Sequence, residues 1–406
     1  MKYRDDGLLT VIDVGSSKVV CLAAELHDGA LRYRGHGIAE ARGMRRGLIS
    51  ELGPASACVR EAVEAAEKIS GGMIASAVIG MGGPHVRGVN SRGGISLGSR
   101  LREITREEVR AAVDRARSVS LAPDREVLHL LPQEFLLDDQ SGIHDPVGMI
   151  GSRLEVNLHM STCAAGALQN VVTCANRAGV EVMDTVYEGV AAAEGILSAD
   201  EREMGICLAD IGAGSTELIV YFEGAVAHSA VLPIGGDHFT NDLAMGLHIS
   251  VAGAERLKLE QGHAVVTAVP QLNQIELVST PDHAPRTVSH RLVAEILEAR
   301  ATELLKMMRD NLRQGGVLEA LGAGSVLTGG GAKLPGLLDL TESMLRVQAR
   351  VGTPVPISRL PHALAGPEFA ATLGMMLYAH RKMQSRAGED TTLRGKLRAK
   401  LFAGSL

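Results

Sequence analysis

LADIGAGSTELIVY, residues 208 to 221, joins two apolar runs through an acid and two glycines. The runs at 206–209 and 217–221 are predicted to be buried strands of one hairpin. Asp210 falls where a metal-bound water or a phosphate would lie. Gly212 and Gly214 allow backbone N–H groups to approach an anion with no Cβ in the way. Ser215 and Thr216 add hydroxyl donors. The same design occurs at LLTVIDVGSSKVVCLAAEL, residues 8 to 26, where Asp13 ends a strand, Gly15 turns, and Ser16, Ser17 and Lys18 follow. Read alone, the hairpin at 8–26 is equally an ordinary hairpin with a surface loop. Two such hairpins about half a chain apart point to two similar lobes clamping one polyphosphate.

Working outward, 406 residues exceed one ordinary core and imply two or more domains. Aromatic content is 2% with no Trp, which leaves no stacking platform for single-stranded nucleic acid. A net charge of −6 also disfavours a general nucleic-acid binder. The five cysteines show no paired spacing and read best as small buried hydrophobes in a reducing cytoplasm. MKYRDDGLL is no signal peptide, and no run of eighteen apolar residues occurs, so membrane contact would be peripheral.

Along the first half, residues 55–69 are predicted as a helix closed by Gly71-Gly72, and 74–81 as a strand. Residues 84 to about 165 then read as a small α+β unit inserted into the first lobe. It contains a strand–turn–strand at 86–97 with the turn at SRGG, 91–94, and a capped helix at 106–118 opened by Thr105 and Glu108. Short strands are expected at 126–131 and 133–137, a loop at 143–151 and a strand at 154–161. Beyond it come a helix at 167–178, a strand at 180–186 and an Ala-rich helix at 190–197, where Glu188 would stand at the lobe junction. A strand at 226–232 enters the Gly-rich turn Pro233–Asp237. Helices follow at 238–246 and 250–259, where charges such as Glu255 and Lys258 also suit a solvated helix surface. Strand pieces are read at 267–280 and 286–289, and a long helix at 292–312. A strand at 325–328 runs into Gly329, Gly330, Gly331 and Lys333 and then a helix, the form of a phosphate- or nucleoside-side loop. Residues 351–357 read as strand and 369–381 as helix.

Residues 384–392 have linker composition. TTLRGKLRAKLFAGSL then places Leu393, Leu397 and Leu401 every four residues, with Arg394, Lys396, Arg398 and Lys400 and no acid. This pattern fits an interfacial helix on an anionic membrane surface, with Phe402 just off the stripe. A frayed basic tail or a helix docking on a partner protein is the alternative.

The loops DVGSSK, DIGAGST and TGGGAKLPG occur in the order of the actin/Hsp70/sugar-kinase ATPases. GVNSRG, EITREEV, LHLLPQEFLLD and IHDPVGMIGSRLE narrow the resemblance to the FtsA family of bacterial cell-division proteins, over residues 8 to about 381. The resemblance implies an α/β, actin-like two-lobed ATPase fold with duplicated ribonuclease-H-like cores. It divides the chain into a first lobe (1–83, 166–205, 365–383), an inserted interaction subdomain (84–165), a second lobe core (206–238, 305–364), its small subdomain (239–304) and a linker with a membrane-targeting helix (384–406). It implies ATP and Mg²⁺ as cofactors. Asp13, Gly15, Ser16, Ser17 and Lys18 would form the first phosphate loop, and Asp210, Gly212, Ala213, Gly214, Ser215 and Thr216 the second. Gly235, Gly236 and Asp237 would close the cleft. Glu255 and Lys258 would flank the adenosine, with Gly329, Gly330, Gly331 and Lys333 on the adenine side. Asp13 and Asp210 would hold the metal largely through water, and Glu188 is the candidate to orient an attacking water. The implied role is a filament-forming adaptor with weak or no ATPase activity. It would tether the tubulin-like protein FtsZ to the cytoplasmic face of the inner membrane at the division site and recruit downstream division proteins. The competing reading is a small-molecule kinase or phosphatase, such as an exopolyphosphatase, of the same ATPase fold.

Overall fold

A computed structural model describes residues 8–45, 47–98, 100–118, 122–277 and 286–390, with backbone alone for 385–390. Two five-stranded sheets dominate it. The first has the order Ala30–Glu40, Lys18–His27, Leu8–Val14, Ser76–Met81, Glu181–Tyr187. The second runs Ala225–Leu232, Thr216–Phe222, Ile206–Ile211, Gly324–Thr328, Ala349–Val351. In both, a three-strand antiparallel meander is extended by two parallel strands. The duplicated hairpins of the sequence are thus the matched centres of two matched sheets.

The central strands read as continuous apolar runs because both sheet faces are covered. Val11 and Ile12, Val19 to Ala24, and Ile206 to Ala209 are all buried. Helix Leu52–Ser70 covers the first meander, and Gly37 makes that possible: a Cβ there would lie 1.9 Å from the Ala62 carbonyl oxygen. Helix His290–Gln314 buries Val293, Leu297, Leu304, Leu305, Met308 and Leu312 against the second sheet's core. The five cysteines are free and buried.

The unit between the first two lobe-one segments is a four-stranded sheet in the order Gln140–Ile143, Arg125–Leu137, Arg153–Ala164, Val86–Ser96, with helix Arg106–Ser118 packed on it. Here two sequence expectations fail. Residues 86–96 form one strand, not a strand–turn–strand, paired along its length with Arg153–Ala164. The glycines at 93 and 94 serve packing rather than turning: a Cβ on Gly93 would meet the backbone of Ala116 at 2.2 Å. Residues 125–137 likewise form one strand that runs through Pro132, because a register shift at Asn157/Leu158 takes up the missing donor. Of the expected capping box, the Glu108 half is present: its carboxylate accepts the Thr105 N–H at 2.7 Å and the Thr105 hydroxyl at 2.9 Å.

This unit also leans on the second lobe. Asn90 Nδ2 donates to the Ala227 carbonyl (3.0 Å), Gln133 Nε2 to that of Val226 (2.9 Å), and His159 Nε2 lies 2.8 Å from Ser229 Oγ. The outer edge of Ala225–Leu232 is therefore partly covered by inserted side chains.

Three further expectations need correction. The strand near 351–357 is only Ala349–Val351; beyond it the chain makes a single bridge from Ser358 to Arg32. At 267–280 the structure has a 3-10 turn, Val266–Ala268, and a short strand, Gln274–Leu277, while 278–280 lie outside the described residues. The stretch from 384 to 390 is not linker but the end of helix Ala370–Asp390. Its polar residues are ordinary helix formers apart from Gly388, and the buried first turns have already met the nucleation cost. The membrane-helix reading at Leu393, Arg394, Lys396, Leu397, Arg398, Lys400, Leu401 and Phe402 lies outside the described residues.

Candidate functional site

The two hairpin loops face each other across one cleft of about 520 Å³. Their turns are built alike: Gly15 N–H donates to the Lys18 carbonyl at 3.1 Å, and Gly212 N–H to that of Ser215 at 3.0 Å. Asp13, Gly15, Ser16, Ser17 and Lys18 line one wall; Asp210, Gly212, Ala213, Gly214 and Ser215 line the other. Gly236 and Asp237 close an end. They start helix Gly236–Leu247, whose first amides donate to the carbonyls of Gly212 and Ala213, both at 2.9 Å. Glu255, Lys258, Gly329, Gly330, Gly331 and Lys333 also line it.

Two expected residues stand behind the wall. Thr216 is fully buried and its hydroxyl donates to the Ile234 carbonyl at 2.7 Å, so it fastens the strands instead of facing the cleft. Gly235 is needed for close approach: a Cβ would come 2.5 Å from the Ala213 carbonyl oxygen. Gly329 is required twice over, with φ at +80° and a would-be Cβ 2.3 Å from Asp210 Oδ1. The helix expected beyond the triple glycine is Leu337–Leu345. Gly330–Lys333 is a 3-10 turn, and the helix begins at Leu337 after a left-handed Gly336.

Several cleft residues escaped the sequence reading. Gly82 sits between two carboxylates: a Cβ would meet Glu188 Oε2 at 2.2 Å and Glu217 Oε1 at 2.5 Å. Glu217 comes from the second lobe's hairpin, yet its Oε1 accepts the first-lobe Gly83 N–H at 2.8 Å. The Gly189 amide, at the start of helix Glu188–Ile196, also favours the ionised form of Glu217. Its period-two place in an apolar strand was the available signal, since an acid on a buried strand needs a reason. Glu368 pairs with Lys333 at 3.0 Å, and Lys18 Nζ lies 3.6 Å above the centre of the Phe369 ring. On the far side, Lys258 Nζ reaches Glu255 at 2.7 Å, Thr240 Oγ1 at 2.8 Å and the Gly236 carbonyl at 3.1 Å.

The electrostatics are those of a site short of positive charge. Burial lifts Asp210 to about 7, with Asp13 adding to the rise. Burial, then Asp210, lift Glu217 to about 8. Glu188 is raised well above the usual carboxylate range by burial and by Asp13, Glu217 and Asp210. Asp13 is raised by burial, which outweighs the hydrogen bond from Thr372 Oγ1 at 2.7 Å and the nearby Lys18. Burial also lowers Lys18. Glu217 Oε2 and the Tyr187 hydroxyl are buried with no hydrogen-bond partner.

An acid whose pKa is higher folded than unfolded binds protons better when folded. Its stabilising contribution is lost as pH rises through the folded value. The ligand-free protein should therefore lose stability as pH rises from about 7 to about 8, the folded values of Asp210 and Glu217. Histidines 85, 129 and 159, held at about 4 by burial, act in the opposite sense only below about pH 7, where the unfolded imidazole still takes up a proton. Thermal unfolding at fixed ionic strength checks this; a midpoint that rises across the window contradicts it.

A divalent cation suits this cleft: Asp13, Glu188, Asp210 and Glu217 crowd its buried part, one oxygen is orphaned, and the glycine loops offer backbone N–H groups to an anion. Among the described residues no group of three or more His, Cys, Asp or Glu is gathered closely enough to hold a metal alone. An ion held here would complete its shell with water.

Among the described residues no helix is long and apolar enough to cross a membrane. In solved structures the chain is similar to the PilM-PilN type IV pilus biogenesis complex, with a TM-score of 0.65 at 16% identity, covering 93% of this chain and 99% of that one. It is also similar to MreB 5 of Spiroplasma citri bound to AMPPNP, with a TM-score of 0.54 at 13% identity, covering 95% and 99%. These likenesses support the two-lobed actin-like fold. The family profile "Cell division protein FtsA" matches residues 207–374, and "SHS2 domain inserted in FTSA" matches residues 83–162. The chain is 35% identical over 376 residues to the cell division protein FtsA of Pseudomonas aeruginosa, spanning 92% of this chain and 90% of that protein. Against the cell division protein FtsA of Escherichia coli it is 33% identical over 386 residues, spanning 93% and 91%. The matched hairpins, the inserted sheet and these relatives lead to one assignment: the chain belongs to the FtsA family of cell division proteins.

Proposed function

We propose that the cleft binds Mg·ATP, and that the protein uses it to form filaments that tether FtsZ to the cytoplasmic face of the inner membrane and recruit later division proteins. The observation that carries the nucleotide reading is the pair Asp13 and Asp210, at equivalent places on equivalent hairpins, lining the same glycine-walled cleft. The amides of Gly15–Lys18 and Gly212–Ser215 and the Lys18 ammonium hold the phosphate chain. Asp13 and Asp210 hold the hydrated ion, which when bound supplies the positive charge this cleft lacks. Glu255, Lys258 and the Gly329–Lys333 loop hold the nucleoside. Glu188 orients a water against the terminal phosphate, in a slow hydrolysis that resets filament state.

On this reading residues 84–165 are the surface that later division proteins meet, and 239–304 form the smaller part of the second lobe. Residues 384–406 carry the anchor. Deleting 393–406 should leave Mg·ATP binding intact and abolish co-sedimentation with vesicles rich in anionic phospholipid. A truncated protein that still pellets with those vesicles defeats the tether. A small-molecule kinase of the same fold would be indifferent to the tail.

A further inference from the structure

Glu188 is held from both sides through its backbone neighbours. On one side, the Gly189 amide lies near Glu217 of the second lobe and favours its ionised form. On the other, Tyr187 N–H donates to Nε2 of His129 at 2.9 Å. Tyr187 ends the edge strand Glu181–Tyr187, so its amide would otherwise lack a ladder partner, and it is the N-cap of helix Glu188–Ile196 with no side-chain cap. His129 is not part of that lobe's sheet; it stands on strand Arg125–Leu137 of the inserted unit.

The His129 ring is buried, 6% exposed, and Tyr187 is fully buried. Burial holds the imidazole neutral, at about 4. Accepting from Tyr187 through Nε2 leaves the proton on Nδ1. The ring also meets Tyr378 of helix Ala370–Asp390 edge-on, with centroids 5.5 Å apart and planes at 84°. That helix begins in the cleft, where Thr372 bonds Asp13. One buried imidazole therefore joins the inserted unit, the residue before Glu188 and the C-terminal helix.

We propose that His129 is a positioning residue for Glu188, so that a partner loading the inserted unit shifts the glutamate and alters nucleotide turnover. This rests on the reading of Glu188 given above. The inserted unit is thus more than a docking surface: it supplies the acceptor that fixes the strand-to-helix junction in the cleft floor.

The test uses the full-length protein and three variants. His129→Phe keeps a ring against Tyr378 but has no acceptor, His129→Gln restores an acceptor, and Glu188→Ala removes the proposed water-orienting group. The measurements are Mg·ATP affinity, single-turnover hydrolysis, and amide exchange of the 185–190 peptide without nucleotide. We expect His129→Phe to bind Mg·ATP within about twofold of wild type and to hydrolyse it about tenfold more slowly, since small misplacements of a catalytic group are costly. Its 185–190 peptide should exchange faster, and His129→Gln should recover most of the rate and protection. If His129→Phe folds poorly, Tyr378→Leu, which loosens the ring but spares the hydrogen bond, should give the same split in milder form.

A wild-type rate in His129→Phe, or an equal fall in affinity and rate that His129→Gln does not repair, overturns the proposal. If Glu188→Ala slows hydrolysis while His129→Phe does not, the His129 inference alone fails. If Glu188→Ala hydrolyses normally, or the wild type does not hydrolyse ATP, the Glu188 reading falls and the positioning role falls with it.

Discussion

Replacing Asp210 with Asn should weaken Mg-dependent ATP binding by at least about tenfold, equivalent to about 1.4 kcal/mol, while making the ligand-free protein more stable. The two effects share one cause. Asp210 is packed against Gly329 at the end of a buried strand and beside Asp13, so its ionised form is costly until a cation arrives. Its rise from the ordinary 3.8 to about 7 corresponds to about 4 kcal/mol at most. Water reaching the open cleft screens this to on the order of 1–2 kcal/mol at pH 8. Asn keeps the shape and removes the charge. Calorimetric titration with and without Mg²⁺, beside thermal unfolding at pH 8, reads both effects. A variant that binds normally, or is less stable than wild type, contradicts this account of the cleft.

Gly374→Ala should destabilise the protein by about 2 kcal/mol, although alanine is the better helix former. Helices Ala370–Asp390 and Glu188–Ile196 touch backbone to backbone: a Cβ on Gly374 would lie 1.8 Å from the Ala191 carbonyl oxygen, and Gly195 faces it. Overpacking at such a contact costs about 1–3 kcal/mol and can cost more, against about 1 kcal/mol gained in helix propensity. Both helices begin in the cleft, so moving them apart would also displace Thr372 from Asp13 and weaken Mg·ATP binding. Denaturant melts of the variant check the first effect. Stability at or above wild type would mean that the crossing has slack.

Much of this was legible in the residues. The strand–acid–glycine hairpins carry local chemistry that no other element mimics, and their duplication foretold matched sheets. The cleft lining from Asp13 to Lys18 and from Asp210 to Ser215 follows from them. What could not be read was anything set by a distant neighbour. Gly93 looks like a turn until helix Arg106–Ser118 is laid over it, and Pro132 looks like a strand end until the partner's register shift is seen. Glu217 and His129 look like incidental polar residues in strands until the other lobe, or the inserted unit, is folded against them. Thr216 shows the converse: a plausible phosphate donor by sequence is spent on a carbonyl eighteen residues away.

The most direct test of the central claim is a crystal structure of the full-length protein grown with Mg²⁺ and a non-hydrolysable ATP analogue. We expect the phosphate chain to lie between the loops at Gly15–Lys18 and Gly212–Ser215. We also expect Asp13 and Asp210 to bond waters of a single bound metal ion, and the base to lie by Lys258 and Gly331. A nucleotide bound elsewhere, or a metal that engages neither aspartate, would contradict the account.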